Sequence, residues 1–249
     1  MTTPNSNPGD TRVASAEEQP ADAAETVFHA SRLLAYRDDG PIAKALGRLT
    51  RGQLPPLLPV LVAAIVTLIL LIAGVNKHGG PALLAPVLVL LLAGPGSTHP
   101  HTGRLDWAAP NIIRVIEYGY LATLGFSHGV SKPLVYALIG VLAYHHYDTA
   151  YRTRQRLWPA AWVFRAGLGW DGRMLIAGLG ALTRTAPLVY AVLTSYLGVV
   201  FVAESIYSWR RVSRGAGVIV NLEESEDEAA DAMPGTADGG HTDHDGGTL

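Results

Sequence analysis

Long apolar segments alternate with short polar connections between Leu57 and Trp209, and arginine and lysine collect at particular connections. A helix needs about 20 apolar residues to cross the hydrocarbon core, and connections rich in Lys and Arg stay in the cytoplasm. The chain is 49% hydrophobic and 16% charged, whereas an average soluble domain is about 25% charged. The pattern predicts an all-α integral membrane bundle, multi-pass in the cell membrane, with the lipid bilayer and not nucleic acid as its partner.

The apolar segments predict about six transmembrane helices. They run approximately over Pro56–Val75, Pro81–Gly94, Trp107–Phe126, Pro133–Tyr144, Asp171–Leu182 and Ala186–Trp209. The second segment is short for a lone span, which indicates a helix inside a bundle or one that continues beyond the apolar residues. The fourth runs into HHYDTAYRTRQR without a helix breaker, so we expect the helix to continue into the cytoplasm. Whether the fifth segment crosses fully is left open.

The basic residues predict the orientation of these spans. The first, third and fifth connections carry one basic residue each, and the clusters lie before the first span, after the fourth and after the sixth. The clusters are Lys44, Arg48 and Arg51; Arg152, Arg154, Arg156, Arg165 and Arg173; and Arg210, Arg211 and Arg214. By the positive-inside rule both termini are predicted to be cytoplasmic, N-in and C-in.

Composition divides the chain into four parts. Residues 1–24 and 215–249 are polar, with an acidic run in the second, and are predicted to be disordered tails. Residues 53–214 form the predicted six-span domain. Residues 25–52 are basic and amphipathic, divided by a break at Asp39-Gly40-Pro41. This juxtamembrane segment lies either on the inner membrane surface or as a helical cap over the bundle. The chain has no cysteine, which excludes disulfides and thiol chemistry.

Ionisable residues within the predicted spans are candidates for function or for structural pairing. Arg114 and Glu117 lie three residues apart, on one helix face, where they can neutralise one another. Glu204 in the sixth span needs a partner, for which Arg114 or a tyrosine hydroxyl is a candidate. Asp106 and Asp171 lie at the cytoplasmic ends of predicted spans.

The segment YHHYDTAYR contains the densest group of polar residues. His145, Asp148 and Arg152 share one face of the predicted helix. Imidazole and carboxylate are metal ligands, so His145, His146 and Asp148 could hold a divalent metal, the one cofactor that the sequence indicates. His145 and Asp148 are also the candidates for acid–base catalysis.

Three arginines are the candidates for binding phosphate. The guanidinium group matches phosphate oxygens bidentately, and Arg114, Arg152 and Arg173 lie near the cytoplasmic side by the predicted topology. Together with the acidic and imidazole groups they suggest a polar cavity that faces the cytoplasm. The alternative is an interfacial belt of charged and aromatic residues without a site.

Several segments resemble those of an uncharacterised actinobacterial membrane domain family. They are RGQLPPLLP, THPHTGRLDWAAP, EYGYLA, AYHHYDTAYR, GWDGR and VAESI, between about Leu34 and Arg211. That domain is often joined to, or accompanies, CDP-alcohol phosphotransferase domains. The resemblance therefore implies a link to phospholipid or polyol-phosphate metabolism, with such an enzyme, or a second copy of the chain in a homodimer, as partner.

The signature of the CDP-alcohol phosphotransferases themselves is imitated only in part. That signature is DxxDGxxAR, followed by two spaced aspartates on the next helix. The segment from Asp39 to Lys44 resembles DGxxAR, but Tyr36 replaces the first aspartate and no aspartate follows until Asp106. Two-metal chemistry needs several carboxylates, so the match is interpreted as coincidental.

Three hypotheses of function follow. The chain is a non-catalytic membrane partner or scaffold beside an enzyme that acts on lipid headgroups, which is the hypothesis the sequence favours. Alternatively, it is itself a membrane enzyme that transfers or hydrolyses a phosphorylated lipid headgroup. The third hypothesis is a small transporter, for which short or broken spans in matching halves are the usual sign.

Overall fold

The structure, a computed structural model, describes residues 10–75 and 80–231. All regular structure in these two ranges is helical, in nine α-helices and two 3₁₀ turns. The helices are α1 (Asp10–Arg37), α2 (Pro41–Leu49), α3 (Leu57–Val75), α4 (Ala85–Ala93), α5 (Ala108–Ser127), α6 (Lys132–Arg154), α7 (Ala161–Ala166), α8 (Gly169–Leu182) and α9 (Ala186–Asp231). The 3₁₀ turns, Pro81–Leu84 and Gly94–Thr98, flank α4. The all-α prediction is confirmed for these residues.

Helix α5 lies at the centre and packs against α1, α3, α6 and α8. Its inner face carries large side chains with no solvent exposure, among them Ile113, Tyr120 and Leu124. The first part of α9 joins this core, because the Tyr190 hydroxyl donates to the Leu121 carbonyl oxygen at 2.7 Å. Every element that carries the polar groups described below therefore contacts α5 or a neighbour of α5.

Three helical stretches are long and apolar enough to cross a membrane: Leu57–Gly74, Pro81–Thr98 and Ala186–Arg210. They coincide with the first, second and sixth predicted spans. The second is longer than predicted, since the 3₁₀ turn Gly94–Thr98 continues the helix past Gly94. Many apolar side chains of these stretches point away from the core, for example Leu58 at 69% exposure and Val199 at 70%. An apolar outer surface of this kind suits a bilayer and not water.

Helices α5, α6 and α8 lie where the third, fourth and fifth spans were predicted. The unbroken helix Lys132–Arg154 confirms that the fourth segment continues as a helix through HHYDTAYRTR. Helix α8 has 14 residues, which at 1.5 Å per residue extends about 21 Å, less than the hydrocarbon thickness of about 30 Å. By length and composition, three helices of the described residues qualify as membrane spans.

The juxtamembrane segment is divided as the sequence predicted. Helix α1 ends at Arg37 and α2 begins at Pro41, a residue favoured at a helix N-terminus because its φ is already helical. Helix α1 packs against α5 and α6, and α2 packs against α4 and α8. These contacts are those of a helical cap, one of the two predicted placements.

The predicted tails are partly helical. Helix α1 begins at Asp10 and α9 continues to Asp231, because both segments are rich in alanine and glutamate, which favour helix. The rest of the tails, residues 1–9 and 232–249, and the connection with Lys77 lie outside the described residues. The chain forms two compact units, which divide between Ser205 and Ile206. In the described residues, the second consists of the C-terminal part of α9.

Candidate functional site

The turn between α1 and α2 is charged and buried. Arg37, Asp38 and Asp39 have exposures of 0%, 2% and 1%. Asp38 has a φ of 47°, in the left-handed region that aspartate tolerates better than most residues. Its carbonyl oxygen accepts a hydrogen bond from the Trp170 backbone N–H at 3.2 Å. A segment that resembles an ordinary surface turn in sequence is therefore enclosed by the bundle.

Arg173 of α8 connects this turn to α5. Its Nη2 lies 2.8 Å from Asp38 Oδ2, its Nε lies 2.6 Å from Glu117 Oε1, and its Nη1 donates to the Gly167 carbonyl oxygen at 2.9 Å. The other Glu117 oxygen accepts from Arg114 Nη1 at 3.0 Å, which confirms the predicted Arg114–Glu117 pair. Two guanidinium groups and two carboxylates thus neutralise one another inside the protein, as buried charges require. We call these four residues the Arg173 network.

Asp39, in the same turn, contacts Arg37 and the indole of Trp170. Its Oδ2 lies 2.8 Å from Arg37 Nε, and its Oδ1 accepts from the Trp170 indole N–H at 2.7 Å. Arg37 also donates to the Ala93 carbonyl oxygen at 2.8 Å. The pair therefore ties α1 to α4 and α8.

The ionisation of Asp38 reflects this environment. Burial by itself raises the pKa of a carboxyl group. Against this effect, the charge of Arg173, the hydrogen bond with His146 and the charge of Arg114 hold the pKa of Asp38 well below its usual value. The second carboxylate oxygen, Oδ1, is buried and has no hydrogen-bond partner among the described residues.

A second buried network joins α6 to α9. Arg152 binds Glu204 bidentately, at 2.7 Å and 2.6 Å, and its Nη2 also lies 2.6 Å from Asp148 Oδ2. Arg152 is therefore a partner of Glu204, in addition to the candidates that the sequence suggested. Sequence spacing could not show this contact, because the two residues lie on helices far apart in the chain.

The three predicted metal ligands have separate partners. The His145 ring stacks on Phe201 with centroids 3.8 Å apart. His146 Nδ1 lies 2.5 Å from the Tyr118 hydroxyl oxygen, and His146 Nε2 lies 3.3 Å from Asp38 Oδ2. Asp148 pairs with Arg152. Within the described ranges, no group of three or more His, Asp or Glu side chains is arranged to hold a metal ion.

The two remaining predicted acidic residues, Asp171 and Asp106, accept hydrogen bonds from backbone N–H groups. Asp171 accepts hydrogen bonds from the backbone N–H groups of Gly40, Ile42 and Ala43 at 2.6, 3.2 and 3.1 Å. It thus caps the N-terminus of α2 from another helix, where a carboxylate also interacts favourably with the helix dipole. Asp106 accepts from the Gly103 N–H at 2.9 Å, within its own turn, and is not part of either network.

Replacing Asp171 by alanine is expected to destabilise the protein by about 2 kcal/mol, because three backbone donors at α2 lose a charged acceptor. The thermal unfolding midpoint in detergent micelles measures the effect. Thr183→Ala, an exposed substitution at the other end of α8, is the control and should change stability little. Equal midpoints for Asp171→Ala and the control would contradict the capping role.

A cavity of about 410 Å³ lies between α1, α5 and α6. Among the described residues its walls contain three arginines and two histidines but no aspartate or glutamate: Arg32, Arg114, Arg154, His29 and His146. Of the predicted phosphate ligands, Arg114 lines this cavity and Arg152 and Arg173 do not, and each of the three contacts a carboxylate. Arg32 and Arg154 were not among the predicted phosphate ligands. The signal that could have identified them is one basic residue on each of two helices near the cytoplasmic side of the predicted topology.

The match to known families covers most of the chain. Residues 28–226 match a family of unknown function, DUF5941, and the chain belongs to this family. No curated protein and no solved structure matches it.

Proposed function

We propose that this member of the family is a multi-pass membrane protein that acts as a non-catalytic partner or scaffold, with a polar cavity that faces the cytoplasm. Its enzymatic partners would act in phospholipid or polyol-phosphate metabolism. The resemblance to an actinobacterial domain that accompanies CDP-alcohol phosphotransferases supports this setting. Such an enzyme, or a second copy of the chain, is the proposed partner.

The topology proposed is six spans with both termini in the cytoplasm. Support comes from the basic clusters of the sequence and from the outer faces of α5 and α8. Val115 of α5 is 72% exposed and Leu179 of α8 is 59% exposed, as expected of side chains that face lipid. With this orientation, the Arg173 network, the Arg152–Glu204 pair and the arginine-lined cavity all lie towards the cytoplasmic side.

One observation carries the non-catalytic proposal: the candidate catalytic groups are already engaged. The Asp148 carboxylate pairs with Arg152, and the His145 ring stacks on Phe201. Charges inside a membrane bundle are commonly paired for structural reasons, and the contact of Asp148 with Arg152 supports that role over acid–base catalysis. The contacts of His145 and Asp148, the predicted catalytic residues, therefore support a structural role for these side chains.

The test is native mass spectrometry of the full chain extracted from its own membrane in mild detergent. We expect a second polypeptide to be retained by the wild type and by His145→Gln, since neither the imidazole nor its proton is used. In parallel, the purified chain should not turn over CDP-activated or phosphorylated lipid headgroups. Turnover that disappears in His145→Gln or Asp148→Asn at an unchanged unfolding midpoint would overturn the proposal.

A second candidate function is a membrane enzyme acting on a phosphorylated headgroup. The observation that favours it is the contact between His146 and Asp38, because His146 also lines the cavity. An imidazole oriented by a carboxylate is a common general base. Headgroup turnover that is lost in His146→Gln but retained in His145→Gln would select this function over the first.

A further inference from the structure

We propose that the cavity between α1, α5 and α6 binds the phosphate of an anionic headgroup, with Arg32 and Arg154 as its principal ligands. The inference rests on the proposed function, since it names the ligand class of the same cytoplasm-facing cavity. The sequence prediction placed phosphate on Arg114, Arg152 and Arg173, and of these Arg114 lines the cavity.

Much of the positive charge at the cavity wall is not neutralised by carboxylates of the described residues. Among the described residues, neither Arg32 nor Arg154 has a carboxylate within 4.0 Å. Arg114 is paired, but with a glutamate that Arg173 also contacts. The cavity therefore carries an excess of positive charge. In a concave and partly buried surface such a charge concentrates anions.

Arg32, which lines the cavity, also has a hydrogen-bond donor without an acceptor among the described residues. Arg32 Nε is buried without a hydrogen-bond partner among the described residues, although Arg32 Nη2 donates to the Tyr36 hydroxyl at 3.2 Å. The guanidinium carbon of Arg32 lies 5.7 Å from the ring centroids of both Phe28 and Tyr36. The two aromatic rings hold the guanidinium in place. A buried donor without an acceptor is costly, and a phosphate oxygen would satisfy it.

Tyr36, in the wall of the cavity, lies in a positive electrostatic environment. Burial by itself raises the pKa of the Tyr36 hydroxyl, but hydrogen bonds from Thr153 and Arg32 and the charges of Arg32 and Arg154 lower it below its usual value. The lowered pKa of Tyr36 therefore reflects the positive charge of Arg32 and Arg154, which would also attract a phosphate.

The size and the position of the cavity suit the phosphate of a lipid headgroup. Its volume of about 410 Å³ lies in the range of small-molecule sites and exceeds that of one phosphate group. Trp107, a residue type that favours the membrane–water interface, forms part of the wall. A phosphate joined to a glycerol at the membrane surface fits these features, and the described part of the cavity wall offers no carboxylate to a cationic headgroup.

The test is isothermal titration of the full chain in detergent micelles with dihexanoyl phosphatidic acid, dihexanoyl phosphatidylcholine and inorganic phosphate. The double variant Arg32→Gln/Arg154→Gln should bind phosphatidic acid at least tenfold more weakly, since each charged hydrogen bond contributes substantially. Arg165→Gln, which removes one exposed arginine outside the cavity, should change affinity less than about twofold. The single variant Arg154→Gln alters an exposed residue, so it tests the site even if the double variant folds poorly.

The outcomes separate the two sources of phosphate. Inorganic phosphate that competes with phosphatidic acid, and that is weakened by the same variants, identifies a site for free phosphate; phosphatidic acid binding without competition identifies a lipid headgroup. Unchanged affinity in both cavity variants, an equal loss in Arg165→Gln, or equal binding of phosphatidylcholine would overturn the inference. Turnover of the bound lipid would overturn the non-catalytic proposal instead and would leave the binding site in place.

Discussion

Arg173→Met is expected to destabilise the protein by about 3–5 kcal/mol, the cost of removing one partner from a buried ion network. The arginine has no solvent exposure and contacts both Asp38 and Glu117. Methionine fills much of the same volume but leaves two carboxylates facing one another with only Arg114 as a counter-charge. The thermal unfolding midpoint in detergent should fall by roughly 10 °C.

Two further variants show whether charge is the cause. Arg165→Met, an exposed arginine close in sequence, should leave the midpoint within about 1 °C. Adding Glu117→Gln to Arg173→Met should restore part of the loss, because it removes one of the unpaired buried charges. A double variant as unstable as the sum of its single variants would show that packing, and not charge, determines the cost.

The pH dependence of stability gives an independent measurement on the same network. Because the pKa of Asp38 is held below the value of about 3.9 that aspartate has in an unfolded chain, its ionisation stabilises the folded protein above that pH. The contribution is lost as the pH falls through the lowered pKa. Removal of Arg173 raises the pKa of Asp38, so the variant should lose less stability than the wild type on acidification. A steeper acid dependence in the variant would contradict this assignment.

Hydropathy and charge predicted the parts of this fold that depend on local sequence. The helices at the positions of the predicted spans, the break before Pro41 and the Arg114–Glu117 pair follow from spacing within one segment. The continuation of α6 through HHYDTAYRTR follows from the absence of glycine and proline there. Each of these features involves residues that are close in the chain.

The remainder of the site depends on contacts between distant segments. Asp38 and Asp39 resemble a polar surface turn in sequence, and only the packing of α8 against this turn encloses them. In sequence, Asp171 resembles an acidic residue at the membrane–water interface. Its role as a cap depends on the packing of α2 against α8, which brings the Ala43 backbone N–H to its carboxylate. The sequence shows that Glu204, inside a predicted span, needs a partner, but it does not show that the partner is Arg152 and not another arginine of the chain.

The close approach of two glycines produces the second large expected effect. A Cβ atom at Gly169 would lie 2.2 Å from the backbone nitrogen of Gly40 and 2.3 Å from its Cα. Gly169 also has a φ of 66°, where alanine is strained. Because the atoms it would meet belong to the backbone, Gly169→Ala should separate α2 from α8 and destabilise the protein by about 3 kcal/mol or more. The unfolding midpoint in detergent measures this effect.

Alanine substitutions at two other glycines, Gly140 and Gly40, distinguish steric contact from backbone strain as the cause of the destabilisation. A Cβ atom at Gly140 of α6 would meet no described atom within 4 Å, so Gly140→Ala should leave stability unchanged or raise it by about 0.5–1 kcal/mol. Gly40 has an ordinary φ of −82°, but a Cβ there would lie 2.2 Å from Asp171 Oδ1 and 2.4 Å from the Leu168 carbonyl oxygen. Gly40→Ala therefore tests contact alone and should also destabilise strongly. If Gly40→Ala proved harmless while Gly169→Ala did not, the left-handed backbone at Gly169, and not the contact between α2 and α8, would explain the loss.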